Sequence, residues 1–211
     1  MSAAIELLLF DLDGVLLDSK RNMEMAWGAV RSELATDIPF EAYFSQIGRP
    51  FEDIMQALGL ADQSEQARTA YFQSSIENAG LIMWYPGVAR ILRKLAARKI
   101  KIGIVTSKDG QRTQRLLASL PVEFATVQTP IKGVRGKPAP DHLLLACAQT
   151  NTDPDNTLYI GDMIFDYQAA VRARLSYVHA NWGYGELPSE NCQALDSIDQ
   201  LAQFLGLESK P

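Results

Sequence analysis

Short apolar runs rich in β-branched residues alternate along this chain with stretches whose apolar positions recur every three to four residues. That alternation predicts parallel βαβ units rather than a sandwich. The runs are 5–10, 100–106, 122–128, 157–160 and 176–180. Between the later runs, Val88, Ile91, Leu92 and Leu95, then Leu116, Leu117 and Leu120, then Leu143, Leu144 and Cys147 mark helices, each expected to cover a face of the sheet. Ser197 followed three residues later by Gln200 reads as a capping box for a last helix, with Leu201 and Leu205 inside it and Gly206 stopping it.

One interval breaks the alternation. Between Ser19 and Pro86 no convincing strand is visible, only helical patterns such as Met23, Ala26, Trp27, Val30 and Leu34. Further helices are expected at 40–47, 51–58 and 64–78, punctuated by Gly48, Gly59 and Gly80. The expected architecture is α/β: a doubly wound, mainly parallel, five-stranded Rossmann-like core formed by residues 1–15 and 84–211, carrying a helical insertion over residues 16–83. The insertion joins the core through two short connections near 14–19 and 80–86, a pair of close hinges that permits opening and closing.

Composition narrows the function. The chain has 211 residues, 47% apolar and 21% charged, proportions of an ordinary globular protein. A net charge of -5 argues against nucleic acid or an anionic membrane as partner. The apolar run at 5–10 is interrupted by Glu6 and ends at Asp11, so neither a signal peptide nor a bilayer-spanning helix can be drawn, and a cytoplasmic protein is expected, as a monomer or homodimer. Cys147 and Cys192 lack metal-ligand spacing and read as thiols of a reducing compartment.

The first run ends in Asp11-Leu12-Asp13-Gly14, and ligands of open parallel sheets bind just beyond the carboxyl ends of strands. Gly161-Asp162-Met163-Ile164-Phe165-Asp166 again follows a strand and opens a helix, with Asp162 expected at the N-cap and Asp166 one turn on. Carboxylates converging from two strand exits would repel one another unless a cation held them, and hard oxygen ligands favour magnesium. Thr106-Ser107-Lys108 offers a hydroxyl and backbone N–H groups to an anion, and Lys137 stands in a Pro-stiffened turn before a helix. Together these groups describe a phosphate-handling site.

The order of the four motifs, Asp11 with Asp13, Thr106, Lys137, and Asp162 with Asp166, resembles the haloacid dehalogenase superfamily across the whole chain. The helical insertion after the first motif looks like that family's first cap type, and Tyr85-Pro86-Gly87-Val88 matches the usual re-entry segment. The resemblance implies that Asp11 attacks the phosphorus of a phosphomonoester to form an aspartyl phosphate. Asp13 would act as general acid and then base, and magnesium would be held by the Asp11 side chain, the Asp13 carbonyl and Asp162, with Asp166 binding or orienting a metal-bound water. Thr106, Ser107 and Lys137 would hold the phosphoryl oxygens. The second acid argues against a dehalogenase. The expected reaction is magnesium-dependent hydrolysis of a small phosphorylated metabolite, with a sugar phosphomutase of the β-phosphoglucomutase type and a catalytically silent binding protein as alternatives. In the cap, Arg49 of Gly48-Arg49-Pro50 is the candidate specificity residue. The loop 182–185 either closes the pocket or packs down, and His142 and His179 read as structural or exposed.

Overall fold

The computed structural model describes residues 5–207. In chain order the elements are β1 (Leu7–Phe10), β2 (Leu17–Asp18), α1 (Lys20–Leu34), α2 (Phe40–Phe44), α3 (Phe51–Ala57), α4 (Ser64–Glu77), β3 (Met83–Trp84), α5 (Val88–Ala97), β4 (Lys101–Val105), α6 (Gly110–Leu117), β5 (Thr126–Gln128), α7 (Asp141–Thr150), β6 (Thr157–Gly161), α8 (Ile164–Ala173), β7 (Ser176–Ala180), β8 (Ala194–Leu195) and α9 (Gln200–Phe204).

The main sheet has the order β5-β4-β1-β6-β7-β8, with every pair parallel. Its central strand is buried on both sides, which is why β1 is a continuous apolar run rather than an alternating one. Leu8 and Phe10 pack with Ile91, Leu92 and Leu95 of α5, whereas Leu7 and Leu9 pack with Leu143, Ala146 and Cys147 of α7 and Ala169 and Ala170 of α8. The chain builds outward from β1 to β4 and β5, then returns to place β6 on the other flank. The topological switch point therefore falls between β1 and β6, and a crevice opens beyond their carboxyl ends.

Four local expectations are corrected. The sheet has six strands rather than five, because the two-residue β8 pairs with β7 through His179–Ala194 and Ala180–Leu195. β5 is confined to its last three expected residues, while Val122 and Phe124 pack half-buried against the core outside the ladder. The capping box does not form: Asp199 is the N-cap of α9, and Gln200 Oε1 instead accepts from the Asp196 N–H at 2.9 Å. Finally, the two connections of the insertion are tied together as an antiparallel ribbon, with Leu17 opposite Trp84 and Asp18 opposite Met83.

Between the ribbon strands the chain is helical. α1 buries the expected stripe of Met23, Ala26, Trp27 and Val30 against α4, and Trp27 stacks on Tyr43 with ring centroids 4.6 Å apart. Met163 and Tyr184, from the sheet side of the molecule, join this same cluster.

Candidate functional site

Asp11 follows β1 directly, and its N–H donates to Ile160 O at 2.9 Å, extending the ladder by one residue before the chain turns. The turn is tight: Gly14 has φ +84° and its N–H donates to Leu17 O at 2.7 Å. A Cβ at Gly14 would lie 2.1 Å from Asp162 Oδ2, so the absent side chain lets the two strand exits approach. On the second exit the N-cap of α8 is Met163, not the expected Asp162. The capping acid is Asp166, whose Oδ2 accepts from the Met163 N–H at 3.0 Å and the Asp162 N–H at 3.3 Å. This leaves the Asp162 carboxylate free to face Asp11.

Asp11, Asp162 and Asp166 are all buried, with one oxygen from each lying within 4.8 Å of the others. Lys137 is the single cation among them: its Nζ donates to Asp166 Oδ1 at 2.7 Å and sits 3.0 Å from Asp11 Oδ1. Burial raises the Asp11 carboxyl to a pKa of about 7; Lys137 opposes that shift, while Asp166 and Asp13 add to it. Burial, then Asp166 and Asp11, push Asp162 well above the usual carboxylate range. Burial alone would lower Lys137, but Asp11 and Asp166 hold its proton on.

Four donors saturate Asp166: Lys137 and Tyr159 Oη (2.7 Å) on Oδ1, and the two backbone N–H groups on Oδ2. By contrast, Oδ1 of Asp162 is buried without a hydrogen-bond partner among the described residues, and Oδ1 of Asp11 has the Lys137 ammonium, which it shares with Asp166. Buried charged oxygens without partners are costly. One ammonium against three carboxylates, with one oxygen orphaned and another sharing that ammonium, is a donor set that fits a hard divalent cation.

Beside this cluster lies the end of β4. Thr106 is buried, its N–H donating to Gln128 O at 3.0 Å and its Oγ1 accepting from the Lys108 N–H at 3.1 Å. Ser107, expected as an anion ligand, turns its hydroxyl to the insertion and donates to Gly48 O at 2.6 Å. Two groups not singled out in the sequence hold Asp13: Ser19 Oγ donates to its Oδ1 at 2.5 Å, and Lys108 Nζ lies 3.1 Å from the same oxygen. Lys108 adjoins the Thr106-Ser107 motif and Ser19 closes the first one, so proximity in the sequence was the available signal. Tyr159 gave none, being an apolar-run residue whose hydroxyl matters through Asp166 and Lys137.

The Asp13 carboxylate stands apart from the three-carboxylate cluster and lines a chamber of about 70 Å³ under the insertion, together with Arg49, Tyr43, Tyr71, Lys108 and Arg112. Arg49 thus borders the site, with one terminal nitrogen donating to Gln46 Oε1 at 2.9 Å and its guanidinium 5.5 Å from the Phe165 ring. Beyond Ser107 a larger cavity of about 420 Å³ runs past Thr106 and Lys137 to Pro50, Lys132 and His142. The 182–185 loop packs down. Trp182 Nε1 donates to Val15 O at 3.0 Å, and the Tyr184 N–H donates to Asp162 Oδ2 at 2.8 Å. His142 and His179 are both buried; desolvation lowers each pKa, which favours neutral imidazoles.

Comparison with known proteins agrees with this geometry. Residues 8–180 match the family model described as haloacid dehalogenase-like hydrolase. The tyrosine-protein kinase PtkA of Mycobacterium tuberculosis is 27% identical over 96% of this chain and 73% of its own length. The phosphoglycolate phosphatase of Nitrosospira multiformis is 30% identical over 86% of each chain. Among solved structures, one described as a haloacid dehalogenase-like hydrolase from Bacteroides fragilis superposes with a TM-score of 0.85 at 26% identity, covering 93% of this chain and 99% of that one. No helix among the described residues is long and apolar enough to cross a membrane.

Proposed function

The chain belongs to the haloacid dehalogenase-like hydrolases, on their phosphatase branch, and from that premise we propose that it hydrolyses a small phosphomonoester with magnesium, through an aspartyl phosphate on Asp11. The observation that carries this reading is the meeting of Asp11, Asp162 and Asp166 with Lys137 at the switch point, three buried carboxylates on one ammonium with an Asp162 oxygen lacking a partner among the described residues.

Asp11 and Asp162, with the Asp13 carbonyl, would hold magnesium, which when bound keeps Asp11 ionised and screens it from an anionic substrate. Asp166 is already saturated, so its part is to fix Lys137 and the start of α8 rather than to give up its donors. Lys137 and the Thr106 hydroxyl receive the phosphoryl oxygens and stabilise the charge that develops on them. A carboxylate oxygen of Asp11 attacks phosphorus as the bond to the alcohol oxygen breaks, and Asp13 passes its proton to that departing oxygen. Water then attacks phosphorus, its proton returns to Asp13, and cleavage of the Asp11–phosphorus linkage releases inorganic phosphate. The position of Asp13 on the chamber wall supports this division of labour.

The test is a screen of phosphorylated metabolites for phosphate release, with and without magnesium, run beside Asp11→Asn. Magnesium-dependent release that disappears in Asp11→Asn is expected. Interconversion of sugar phosphates without net release would favour a mutase, and transfer from ATP to a protein tyrosine a kinase; either would overturn the reading.

A further inference from the structure

The chamber above Asp13 is walled by side chains from both halves of the molecule, and the arginine held most firmly there is not in the insertion. Arg112 lies on α6, whose N-cap Asp109 accepts from the Arg112 N–H at 3.0 Å and also holds its Nε. One terminal nitrogen, NH1, donates to Ser75 Oγ at 2.7 Å, and the guanidinium lies 4.2 Å from the Phe72 ring centroid. The other terminal nitrogen, NH2, makes no hydrogen bond to the described residues. Arginine is thus held on two sides while one edge of its fork stays available. Arg49 lines the same chamber and also has a free edge, but among the described residues only Gln46 holds its guanidinium, with no acid to fix its orientation.

We propose that Arg112 is a specificity residue of this site, its free guanidinium edge pairing with an anionic group carried by the leaving alcohol. The proposal rests on the phosphatase reading above, because only there does the chamber receive the leaving group. Its ligand class follows from charge and size. Lys108 is held within the chamber to Asp13, 3.1 Å away, whereas the partner of Arg112, Asp109, lies outside the lining. Although burial favours the neutral acid at Asp109, the Arg112 hydrogen bonds and charge, with Lys108, keep its pKa below the ordinary value, so the pair stays charged and Arg112 oriented. At about 70 Å³ the chamber falls well short of the roughly 300–1,000 Å³ of ordinary small-molecule sites, so with the insertion closed it suits a leaving group of a few heavy atoms. A planar fork favours carboxylate or phosphate as the group it meets.

Binding decides the matter without turnover. Asp11→Asn, with magnesium present, is titrated calorimetrically with 2-phosphoglycolate, ethane-1,2-diol bisphosphate and ethyl phosphate, and the titrations are repeated in Asp11→Asn/Arg112→Met. We expect the first protein to prefer at least one anion-bearing ligand over ethyl phosphate by about 10- to 100-fold, as for a hydrogen bond to a charged group, and Arg112→Met to collapse that ratio. Which of the two anions shows the larger preference identifies carboxylate or phosphate as the group read. Retention of the preference in Arg112→Met would overturn the proposal, as would equal weakening for all three ligands, which is what a residue that merely holds Ser75 and Phe72 would give. Absence of any preference at the outset would overturn it too. Failure of the phosphatase reading would appear separately, as no phosphate release by the unsubstituted protein.

Discussion

Asp11 shares a buried space with two other carboxylates, and without a cation its carboxyl titrates near pH 7 rather than at 3.8. Between those values the folded protein keeps a proton that the unfolded chain has lost, so stability falls as pH rises from about 4 to about 7. In EDTA, the melting temperature should therefore be lower at pH 7.5 than at pH 5 by about 5 °C or more, since about 1 kcal/mol corresponds to roughly 2–4 °C for a domain of this size. Asp11→Asn should flatten that dependence, and magnesium should raise the pH 7.5 value in the unsubstituted protein. A pH profile in EDTA that Asp11→Asn leaves unchanged would show that the carboxylates do not share charge as described, since the buried His142 and His179 contribute with the opposite sign to both proteins. The six motif residues were singled out one by one, the carboxylates and Thr106 because strand exits in a parallel sheet carry polar chemistry and Lys137 because of its Pro-stiffened turn before a helix. Their partners were not: Lys108, Ser19 and Tyr159 acquire meaning only from which oxygen they reach, a property of the folded distances rather than of residue type.

At the scale of elements, the loop after β7 matters because it closes over Asp162 by main chain. A Cβ at Gly183 would stand 2.3 Å from Asp162 Cβ, and at Gly185 2.2 Å from Asp162 O, so both glycines are required by close approach. Gly183→Ala must displace either the loop or Asp162. Overpacking of this kind costs about 1–3 kcal/mol, and here it acts on a proposed metal ligand, so we expect the magnesium concentration for half-maximal activity to rise about 5-fold or more. An unchanged magnesium requirement would mean that the loop yields without moving Asp162. The long periodic elements could be read from sequence, since α1 buries Met23, Ala26, Trp27 and Val30 of its pattern, with Leu34 half-buried, and β1 buries Leu7–Phe10 of its run. The short ones could not. β8 and the β2–β3 ribbon have two residues per strand, too few for any period, and exist because a neighbouring strand is there to pair with them. The capping box failed for a related reason: Gln200 found the Asp196 N–H closer to hand than its own helix start.

For the molecule as a whole, the question is how the insertion docks over the switch point. Ser107 donates to Gly48 O, Tyr184 lies against Phe44 with centroids 5.2 Å apart, and Pro50 rests on Gly136. The helical periods between residues 20 and 77 were readable from sequence, but not this closed arrangement, because every one of these contacts joins residues remote along the chain. Gly136 offers a direct probe. Its Cβ would lie 2.3 Å from Pro50 Cγ, and a proline ring cannot swing aside as a flexible side chain would. The clash exists only while the insertion is closed, so Gly136→Ala should charge its cost of about 1–3 kcal/mol to closure rather than to folding. At about 1.4 kcal/mol per tenfold, kcat/KM should fall roughly 5- to 150-fold. The loss should be similar for anionic and neutral phosphomonoesters, unlike that of Arg112→Met, because closure precedes any reading of the leaving group. Hydrogen exchange of α3 should quicken, while the melting temperature moves by no more than about 3 °C. Steady-state kinetics within twofold of the unsubstituted protein would mean that closure over Gly136 is not required for turnover. A collapse in melting temperature would instead place the clash within the fold itself.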